Sequence, residues 1–382
     1  MDLEEIRRQI DETDDQLVKL YCHRMKLSEQ VASYKIDASM EVQDHAREET
    51  KMKQVCSAAA SDFENEAIKE LYEQIMSISR KRQYQLIREK KGVYDLGFQK
   101  IDELGIHGKT IVFQGTDGAY SQVAMNAFFH EPDNSYHVET WRDAMEALKS
   151  GEADYAVLPI ENTTAGDISE NYDLMTEYGH HIVGEMLIPI RHALLGLPGS
   201  KISDIKEVVS HPQALSQCSI FLNSNRQMKQ VKVENTAVAA MRVKDSGDIT
   251  KASIGNRLNA DIYNLEILSE DIINVDTNAT LFIIVSKDEV YTKDADKVTI
   301  SFELPNKSGS LYYMLSHFIY NGLNLTKISS RPIPGRNFEY RFFVEVDGTL
   351  EDDAMANALI GLLTEAGNVQ ILGCYKMHKQ TE

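Results

Sequence analysis

Residues 20–35 have the sequence LYCHRMKLSEQVASYK, which lies within a longer stretch whose pattern predicts an amphipathic helix. Alternating steps of three and four residues from Leu3 produce a heptad-like seam, the kind that packs against other helices. The seam consists of Leu3, Ile6, Ile10, Thr13, Leu17, Leu20, Arg24, Leu27, Val31 and Tyr34. Arg24 is the exception, because burying an unpaired guanidinium costs several kcal/mol even after relaxation. We therefore expect an anionic group to lie beside Arg24.

Two further cations lie on the same predicted helix. Lys35 follows Arg24 at a separation that returns it to nearly the same face, about 16 Å farther along the axis. Arg24 and Lys35 would therefore flank a single cavity. Arg7 lies about 100° round the helix from Arg24, so it cannot easily reach that cavity within its own chain. It can reach the corresponding cavity of a neighbouring chain.

Residues 1–90 contain neither proline nor glycine, and helix-forming residues fill the stretch, so we predict that the region is all helix. Asp44, Arg47 and Glu48 have i, i+3, i+4 spacing, which places them on one helix face. Ser79 and Gln83, at i, i+4, also share a face. An alternative interpretation is that such charges, above all Asp44 with Arg47, are solvated surface ion pairs.

This constellation resembles the small helical chorismate mutases over nearly the whole of residues 1–90. The positions that match the ligands of that family are Arg7, Arg24, Lys35, Asp44, Arg47, Glu48, Ser79 and Gln83. The resemblance implies rearrangement of chorismate to prephenate, with the arginines holding two carboxylates. Lys35 and Gln83 would donate to the ether oxygen, and Glu48 and Ser79 would hold the ring hydroxyl. Arg7 would come from the second subunit of an intertwined dimer.

Composition restricts the partners. The chain of 382 residues is long enough for two or three domains, and its net charge of −19 argues against nucleic acid. No apolar run has the length of a membrane span, and the acidic N-terminus is not typical of a signal peptide. The four scattered cysteines predict reduced thiols in the cytoplasm. The eleven histidines show no metal-binding spacing, so we expect no metal.

The chain changes character twice after the helical region. A glycine-bearing linker is expected at 91–108, and from there short apolar strands alternate with helical segments, which is an α/β pattern. A polar linker at 288–297 leads to a last unit with the order βαββαβ, the ferredoxin-like arrangement. The fold class is therefore multidomain, with an all-α region at 1–90, an α/β region at 109–287 and an α+β region at 298–378.

The α/β region carries polar clusters at strand ends. The segment VLPIENTTAGDI has an apolar strand that ends in a polar cluster, which is typical of a ligand crevice. The segments SHPQALSQC and NATLF add further polar groups. The turn after TIVFQG is not GxGxxG, so we reject a dinucleotide site. Ser210 precedes His211 without a partnered acid, which argues against a hydrolase triad.

These segments resemble prephenate dehydratase over about residues 109–287, which implies two α/β lobes like those of a type 2 periplasmic binding protein. By that resemblance Thr280 would donate a proton to the departing ring hydroxyl. The resemblance places the substrate-binding groups at Asn162, Thr163, Ser210, Gln217 and Phe282. No cofactor is implied. The chain departs from the family at Leu281, where arginine is usual, and Arg191 and Arg257 are candidates for a replacement cation.

The last unit resembles an ACT domain, a module that binds phenylalanine at a subunit interface. The motifs that carry the resemblance are GSLY at 309–312 and SSRP at 329–332, with Ser329 in place of the usual acid. The implied ligands are Gly309, Ser310, Leu311, Ser330, Arg331 and Pro332. An alternative interpretation is a dimerisation module without a ligand.

The order of the three regions matches the fused chorismate mutase–prephenate dehydratases, which implies phenylpyruvate as the product and phenylalanine as an inhibitor. We expect a homodimer or homotetramer, because the helical site needs Arg7 of a second chain. The competing hypothesis is a mutase fused to a sensor of prephenate or phenylalanine that has lost dehydratase activity, with Leu281 marking the loss.

Overall fold

The computed structural model describes residues 2–92 and 96–379, so residues 93–95 of the first predicted linker lie outside the described part. The N-terminal region is helical, as the sequence predicts. Its helices are α1 (Leu3–Asp37), α2 (His45–Cys56) and α3 (Asp62–Lys91). Each helix begins at a capping side chain: Asp2, Asp44 and Ser61 accept from the backbone N–H three residues on. The first glycine of the chain, Gly92, ends α3.

The predicted apolar seam of α1 is largely exposed in the single chain. Its apolar side chains are between 41% (Ile6) and 69% (Tyr34) exposed. The expectation that the seam packs against other helices is therefore wrong for a single chain, and Arg24 is only half-buried. An apolar stripe that runs along the helix from Leu3 to Tyr34 is a typical protein–protein contact surface.

The next region has two lobes. The first lobe contains part of a large mixed sheet, with the neighbouring strands in the order β3-β2-β4-β12-β6. These strands are β2 (Thr110–Gln114), β3 (Asn134–Val138), β4 (Tyr155–Asn162), β6 (His181–Pro189) and β12 (Ala279–Ser286), and β5 (Gly166–Asp167) pairs with β4. The helices of this lobe are α4 (Tyr120–Phe129), α5 (Trp141–Ser150) and α6 (Glu170–Tyr178). Its strands other than the edge strand β3 are nearly continuous apolar runs, as expected for strands with both faces covered.

The second lobe is built from the residues between β6 and β12. Its sheet has the order β11-β7-β10-β8-β9. The strands are β7 (Ala193–Gly196), β8 (Glu207–Ser210), β9 (Lys229–Lys232), β10 (Lys251–Gly255) and β11 (Glu266–Ser269). The helices are α7 (Pro212–Gln217), α8 (Ser219–Ser224), α9 (Thr236–Ser246) and α10 (Arg257–Tyr263). The chain therefore crosses between the lobes after β6 and before β12, and a crevice lies between them.

The C-terminal unit has the predicted βαββαβ order. Its elements are β14 (Lys297–Leu304), α11 (Ser310–Tyr320), β15 (Leu325–Pro332), β16 (Tyr340–Asp347), α12 (Asp353–Glu365) and β17 (Gly367–Tyr375). The strand order is β15-β16-β14-β17, and the pairing is antiparallel throughout. Both helices cover one face of this sheet and bury an apolar cluster that includes Phe302, Phe318 and Leu362.

The C-terminal sheet continues into the sheet of the first lobe. β17 pairs with β6 through Gly373, where a Cβ atom would lie 2.2 Å from the carbonyl oxygen of Ile182. β18 (Met377–Lys379) also pairs with β6. Each predicted linker contains a short strand, β1 (Gln99–Ile101) and β13 (Val290–Thr292), and the two strands pair in parallel. The first lobe and the C-terminal unit are therefore joined by strand pairing, whereas the sheet of the second lobe is separate.

Among the described helices, none combines the length and apolar character that crossing a lipid bilayer requires. The part of the chain that the structure describes also contains no group of three or more His, Cys, Asp or Glu residues that could hold a metal ion.

Candidate active sites

A cleft of about 320 Å³ lies between α1, α2 and α3. Its lining includes seven of the eight side chains that the sequence predicts for the helical site: Arg24, Lys35, Asp44, Arg47, Glu48, Ser79 and Gln83. The remaining lining residues are Leu27, Ser28, Val31, Val42, Lys51, Met76 and Arg80. Residues from three helices that are up to 59 positions apart therefore converge on one space. The exception among the eight is Arg7.

Arg24 faces this cleft without a protein counter-ion. Its Nη1 atom lies 3.5 Å from the hydroxyl oxygen of Ser79, which itself donates to Ser28 at 2.5 Å. Across residues 2–92 and 96–379, no carboxylate forms an ion pair with Arg24. A half-buried guanidinium beside an open cleft can therefore accept an anionic ligand with little rearrangement.

Lys35 and Gln83 supply further donors to the cleft. The Lys35 ammonium donates to the carbonyl oxygen of Val42 at 2.5 Å, which leaves two of its three N–H groups available. The side-chain amide nitrogen of Gln83 donates to the Ser79 carbonyl at 3.2 Å and retains a second hydrogen. Gln83 is 7% exposed, and its amide oxygen has no partner among the described residues. The Gln83 amide oxygen can therefore accept a hydrogen bond from a group in the cleft.

The acidic residues of α2 have different roles. Asp44 is exposed and caps the helix by accepting from the Arg47 backbone N–H at 3.0 Å, and within the described chain these two side chains form no ion pair. Glu48 faces the cleft, and its two carboxylate oxygens accept hydrogen bonds from Nη1 of Arg80 at 2.8 and 2.9 Å. Arg80 was not predicted from the sequence, because its partner Glu365 lies 285 residues away.

Arg7 does not reach the cleft of its own chain. It lies about 26 Å from Arg24 along the axis of α1 at 1.5 Å per residue. Arg7 is exposed near the start of α1, and its action in a second chain stays a prediction.

A second cleft, of about 270 Å³, lies between the two lobes. Its lining comes from both lobes and from both crossing segments: Ala119, Tyr120, Asn162, Ile190, His192, His211, Gln213, Ala214, Gln217, Glu234, Asn235, Thr236, Asn278 and Thr280. Three of the predicted residues, Asn162, Gln217 and Thr280, are therefore brought together here.

Thr280 is held by a hydrogen bond that leaves its own proton free. The side-chain amide of Asn162 donates to the Thr280 hydroxyl oxygen at 2.9 Å. The amide oxygen of Asn162 is fixed in turn by the backbone N–H groups of Thr164 and Ala165, at 3.1 and 2.9 Å. Because the Thr280 oxygen accepts this bond, its hydrogen is available for a ligand in the cleft.

Asn278 is a further polar residue of this cleft that the sequence analysis missed. It is 1% exposed, and its amide oxygen accepts from Asn162 at 3.1 Å and from Thr164 at 3.2 Å. Its amide nitrogen has no partner among the described residues. Asn278 directly precedes β12 and lies two residues before Thr280, and this closeness in sequence was the available signal.

The inter-lobe cleft also contains a buried histidine, His192, in contact with Gln217. His192 is 3% exposed, and its Nε2 atom lies 3.1 Å from the Gln217 amide oxygen. Its Nδ1 atom lies 3.3 Å from the Tyr120 hydroxyl, which donates to the Arg191 carbonyl at 2.7 Å. Burial lowers the pKa of His192 to about 4, so the ring is neutral near pH 7.

Ser210, Phe282 and Thr163 are not among the residues that line the cleft. Ser210 is fully buried and donates to the Ile254 carbonyl at 2.7 Å, and Phe282 packs in the core of the first lobe. Thr163 accepts from the Ala279 backbone N–H at 2.9 Å. The prediction that these side chains contact a ligand is corrected accordingly: in this conformation they support the cleft.

Leu281 points away from the cleft. It packs in a core cluster with Tyr172 and Phe343, on the side of the sheet opposite to Thr280. Its strand partner is Glu161, whose carboxylate accepts a hydrogen bond from the ammonium of Lys327 at 2.5 Å. The absence of arginine at this position therefore removes no cation from the cleft itself.

The inter-lobe cleft contains no lysine or arginine among its described lining residues, and Glu234 is its only carboxylate there. Arg191 and Arg257, the candidate replacement cations, line a neighbouring cleft, and Arg257 lies 3.7 Å from Glu270. The other features suited to an anion are the first residues of α4 and α9, Tyr120 and Thr236, where helix N-termini face the space.

The predicted effector residues of the C-terminal unit lie at one end of its sheet. Gly309 has φ +80° at the start of α11, and a Cβ atom there would lie 2.7 Å from the Tyr313 ring. Ser310 and Leu311 begin the helix. At the end of β15, Ser330 and Pro332 are exposed and flank Arg331, whose guanidinium pairs with Asp173 of α6 at 2.6 Å.

Two known protein families match the regions that contain the two clefts. The model of chorismate mutase type II matches residues 6–84, and the model of prephenate dehydratase matches residues 111–290. An arogenate dehydratase/prephenate dehydratase from Arabidopsis thaliana is 38% identical over 283 residues, which is 70% of this chain and 72% of that protein. A bifunctional chorismate mutase/prephenate dehydratase from Enterobacter agglomerans is 29% identical over 97% of this chain and 95% of its own length.

Among solved structures, prephenate dehydratase from Arthrobacter aurescens in complex with L-Phe is similar, with 30% identity and a TM-score of 0.63. The match covers 70% of this chain and 89% of that one.

We predict that His192 titrates near pH 4 rather than near its ordinary pKa of about 6.5, because burial disfavours the imidazolium. The measurement is an NMR pH titration of the histidine ring signals of the full chain, with His192→Asn used to assign the signal. An exposed histidine of the same chain, such as His45, serves as the comparison. A midpoint for His192 at pH 6 or above would contradict the buried, neutral state.

Proposed function

Because the chain belongs to the family of bifunctional chorismate mutase/prephenate dehydratases, we propose that the helical cleft rearranges chorismate to prephenate and that the inter-lobe cleft converts prephenate to phenylpyruvate. The observation that carries the first assignment is Arg24, a half-buried cation beside a cleft with no protein counter-ion. The second rests on Thr280, whose proton is left free by the bond from Asn162.

The mutase reaction requires positioning and charge stabilisation, and no proton transfer. Arg24 and Arg47 would bind carboxylates of the dianion and hold it in its compact, reactive conformer. Lys35 and the free amide hydrogen of Gln83 would donate to the ether oxygen, on which negative charge grows as the carbon–oxygen bond breaks. Glu48 would accept from the ring hydroxyl. Their convergence on one cleft supports this assignment.

The dehydratase reaction removes carbon dioxide and water from prephenate. The ring carboxylate leaves as carbon dioxide, its bonding electrons enter the ring, and the ring hydroxyl leaves as water with the proton of Thr280. Thr280 regains its proton from solvent water, so the net reaction consumes one proton. Aromatisation supplies the driving force. With no lysine or arginine on the described lining, the N-termini of α4 and α9 and the free amide hydrogens of Asn278 would bind the anionic groups.

We place the domain boundaries at 1–90 for the mutase, 109–287 for the dehydratase and 298–378 for the regulatory domain, with linkers at 91–108 and 288–297. The two lobes, with the chain crossing twice between them, support a type 2 periplasmic-binding-protein-like dehydratase. The βαββαβ order supports an ACT domain.

The C-terminal domain is proposed to bind phenylalanine as an inhibitor, with Gly309 and the residues around Arg331 as ligands. A relative of known structure is described in complex with L-Phe. The Arg331–Asp173 pair, and Lys327 with Glu161 and Asp167 at 2.5 and 2.8 Å, connect this domain to the dehydratase lobe. Glu161 directly precedes Asn162, so an effector that shifts β15 would disturb the residue that holds Thr280.

A homodimer is the smallest assembly that we propose. The exposed seam of α1 and the distance of about 26 Å between Arg7 and Arg24 support a second chain laid along α1. Each mutase cleft would then receive Arg7 from its partner. The location is proposed to be the cytoplasm, which agrees with four free cysteines.

Arg24→Ala is predicted to lower mutase kcat/KM by about 100- to 1,000-fold, because the variant removes a preorganised charge from the cleft. The measurement is the decrease in chorismate absorbance, with the full chain as the enzyme. Arg8→Ala is the matched control on the same helix, since Arg8 is exposed and pairs only with Glu5 and Glu12 within the described residues. Circular dichroism should show unchanged helix content in both variants, and wild-type turnover by Arg24→Ala would reject the assignment.

The shared site is tested by complementation between Arg7→Ala and Arg24→Ala chains. A mixed dimer would contain one intact cleft and one cleft with both changes, so random mixing should restore about a quarter of wild-type activity. Each variant alone should be nearly inactive. No recovery from co-expressed, doubly tagged chains would show that Arg7 does not act across the dimer.

Thr280→Ala is predicted to lower dehydratase turnover by about 100-fold or more, because it removes the general acid. Phenylpyruvate is measured by its absorbance in alkali after incubation with prephenate. Thr280→Ser, which keeps the hydroxyl, should retain most of the activity, and mutase turnover should be unchanged in both. If the wild-type chain forms no phenylpyruvate above the uncatalysed rate, the sensor hypothesis is favoured instead.

A further inference from the structure

Arg80 lies between the mutase cleft and the C-terminal domain and contacts both. Its side chain is 11% exposed and comes from α3, one residue after Ser79. Nη1 contacts both carboxylate oxygens of Glu48, at 2.9 and 2.8 Å. Nε and Nη2 contact Glu365, the last residue of α12, at 2.8 and 3.4 Å. One planar guanidinium thus binds two carboxylates that are 317 residues apart in the sequence.

Glu365 is held in place from its other side. The Tyr84 hydroxyl donates to it at 3.2 Å, and Nε2 of His317 on α11 lies 3.3 Å away. His317 fits because residue 361 of α12 is glycine, where a Cβ atom would lie 2.2 Å from the His317 ring. Burial by itself would raise the pKa of Glu365, but His317 and Arg80 lower it to about 2, so it is ionised near pH 7. Both helices of the C-terminal domain therefore fix this carboxylate.

The charges explain why Arg80 remains in this position. Burial disfavours the charge on Arg80, yet Glu365 and Glu48 outweigh it and raise the pKa of the guanidinium above its usual value. Glu365 and Glu48 bind different nitrogens of the same planar guanidinium. Each contact therefore fixes the orientation in which Arg80 makes the other contact. Removing the carboxylate of Glu365 would leave Arg80 with one anchor and free to turn about its contact with Glu48.

We propose that Arg80 is a positioning residue of the mutase reaction: it holds the Glu48 carboxylate towards the cleft, and Glu365 of the C-terminal domain fixes Arg80 in turn. The inference rests on the proposed mutase function and deepens it. It makes the C-terminal domain part of the mutase site, although none of the residues that line the cleft belongs to that domain. A movement of α12 would change mutase turnover through this one guanidinium.

A different contact between the same two helices serves as the control. Arg88 of α3 pairs with Asp353 at the start of α12 at 2.6 Å, and neither residue lines the mutase cleft. Arg88→Ala removes an ion pair between α3 and α12 but leaves Arg80, Glu365 and Glu48 in contact. If Glu365 acted only by tethering the domains, Arg88→Ala and Glu365→Gln would have similar effects.

The test compares Glu365→Gln, Arg88→Ala and the wild-type full chain with chorismate and, separately, with prephenate. For Glu365→Gln we expect mutase kcat to fall about 10-fold, with KM changed less than 3-fold, because a misplaced Glu48 mainly affects the transition state. Dehydratase turnover should match wild type, which also shows that the variant is folded. Arg88→Ala should keep wild-type mutase kinetics.

A double-mutant cycle with Glu48→Gln separates positioning from general destabilisation. If Glu365 acts through Arg80 on Glu48, adding Glu365→Gln to Glu48→Gln should lower kcat no further, whereas independent effects would multiply. Should Glu365→Gln fail to fold, Glu365→Asp carries the same comparison, with an expected loss of about 3-fold.

Wild-type mutase kinetics in the folded Glu365 variant would overturn the inference, as would an equal loss in Arg88→Ala or fully multiplicative effects in the cycle. A wild-type chain that does not consume chorismate would instead reject the proposed mutase function, so the two failures are distinguishable.

Discussion

The charge of Arg24 beside an open cleft is the constraint on which the helical region depends. A guanidinium that is half removed from water needs an anion, and in the described chain no carboxylate supplies it. The nearby acids are otherwise engaged: Asp44 caps α2, and Glu48 binds Arg80. The cleft is therefore left with unneutralised cations and unpaired donors, an arrangement that a dianionic substrate completes and that an apolar or cationic ligand would not. Catalysis by such a site is a matter of geometry and charge.

A second set of buried charges joins the regions to one another. Lys297 of β14 contacts Glu185 of β6 and Glu345 of β16 at 3.0 and 3.1 Å, where the two sheets meet. Burial raises the pKa of Glu185, whose side chain has no exposed surface. Such a group is tolerated only because Lys297 and the Tyr375 hydroxyl contact it. The C-terminal domain thus contacts the dehydratase lobe through its sheet and the mutase through Arg80 and its helices.

Much of the local structure was predictable from the sequence, because periodicity and turn residues determine it. The helices, the α/β alternation and the βαββαβ order all follow from patterns within about 40 residues, and most mutase residues follow from spacing on one helix face. The failures concern contacts between distant segments. The seam around Arg24 was expected to be buried, but the single chain leaves it exposed. Ser210 was expected in the crevice, yet it bonds to a backbone carbonyl in the core. Arg80 and Asn278 were missed because their partners lie 285 and 116 residues away.

The decisive measurement is a crystal structure of the full chain with a rigid bicyclic dicarboxylate that has the shape of the compact, rearranging substrate. We expect one carboxylate to lie within about 3 Å of the Arg24 guanidinium, Lys35 and Gln83 to face the ether oxygen, and Arg7 of a second chain to complete the cleft. An Arg24 side chain turned into bulk water, or paired with a protein carboxylate while the dicarboxylate binds elsewhere, would contradict this expectation.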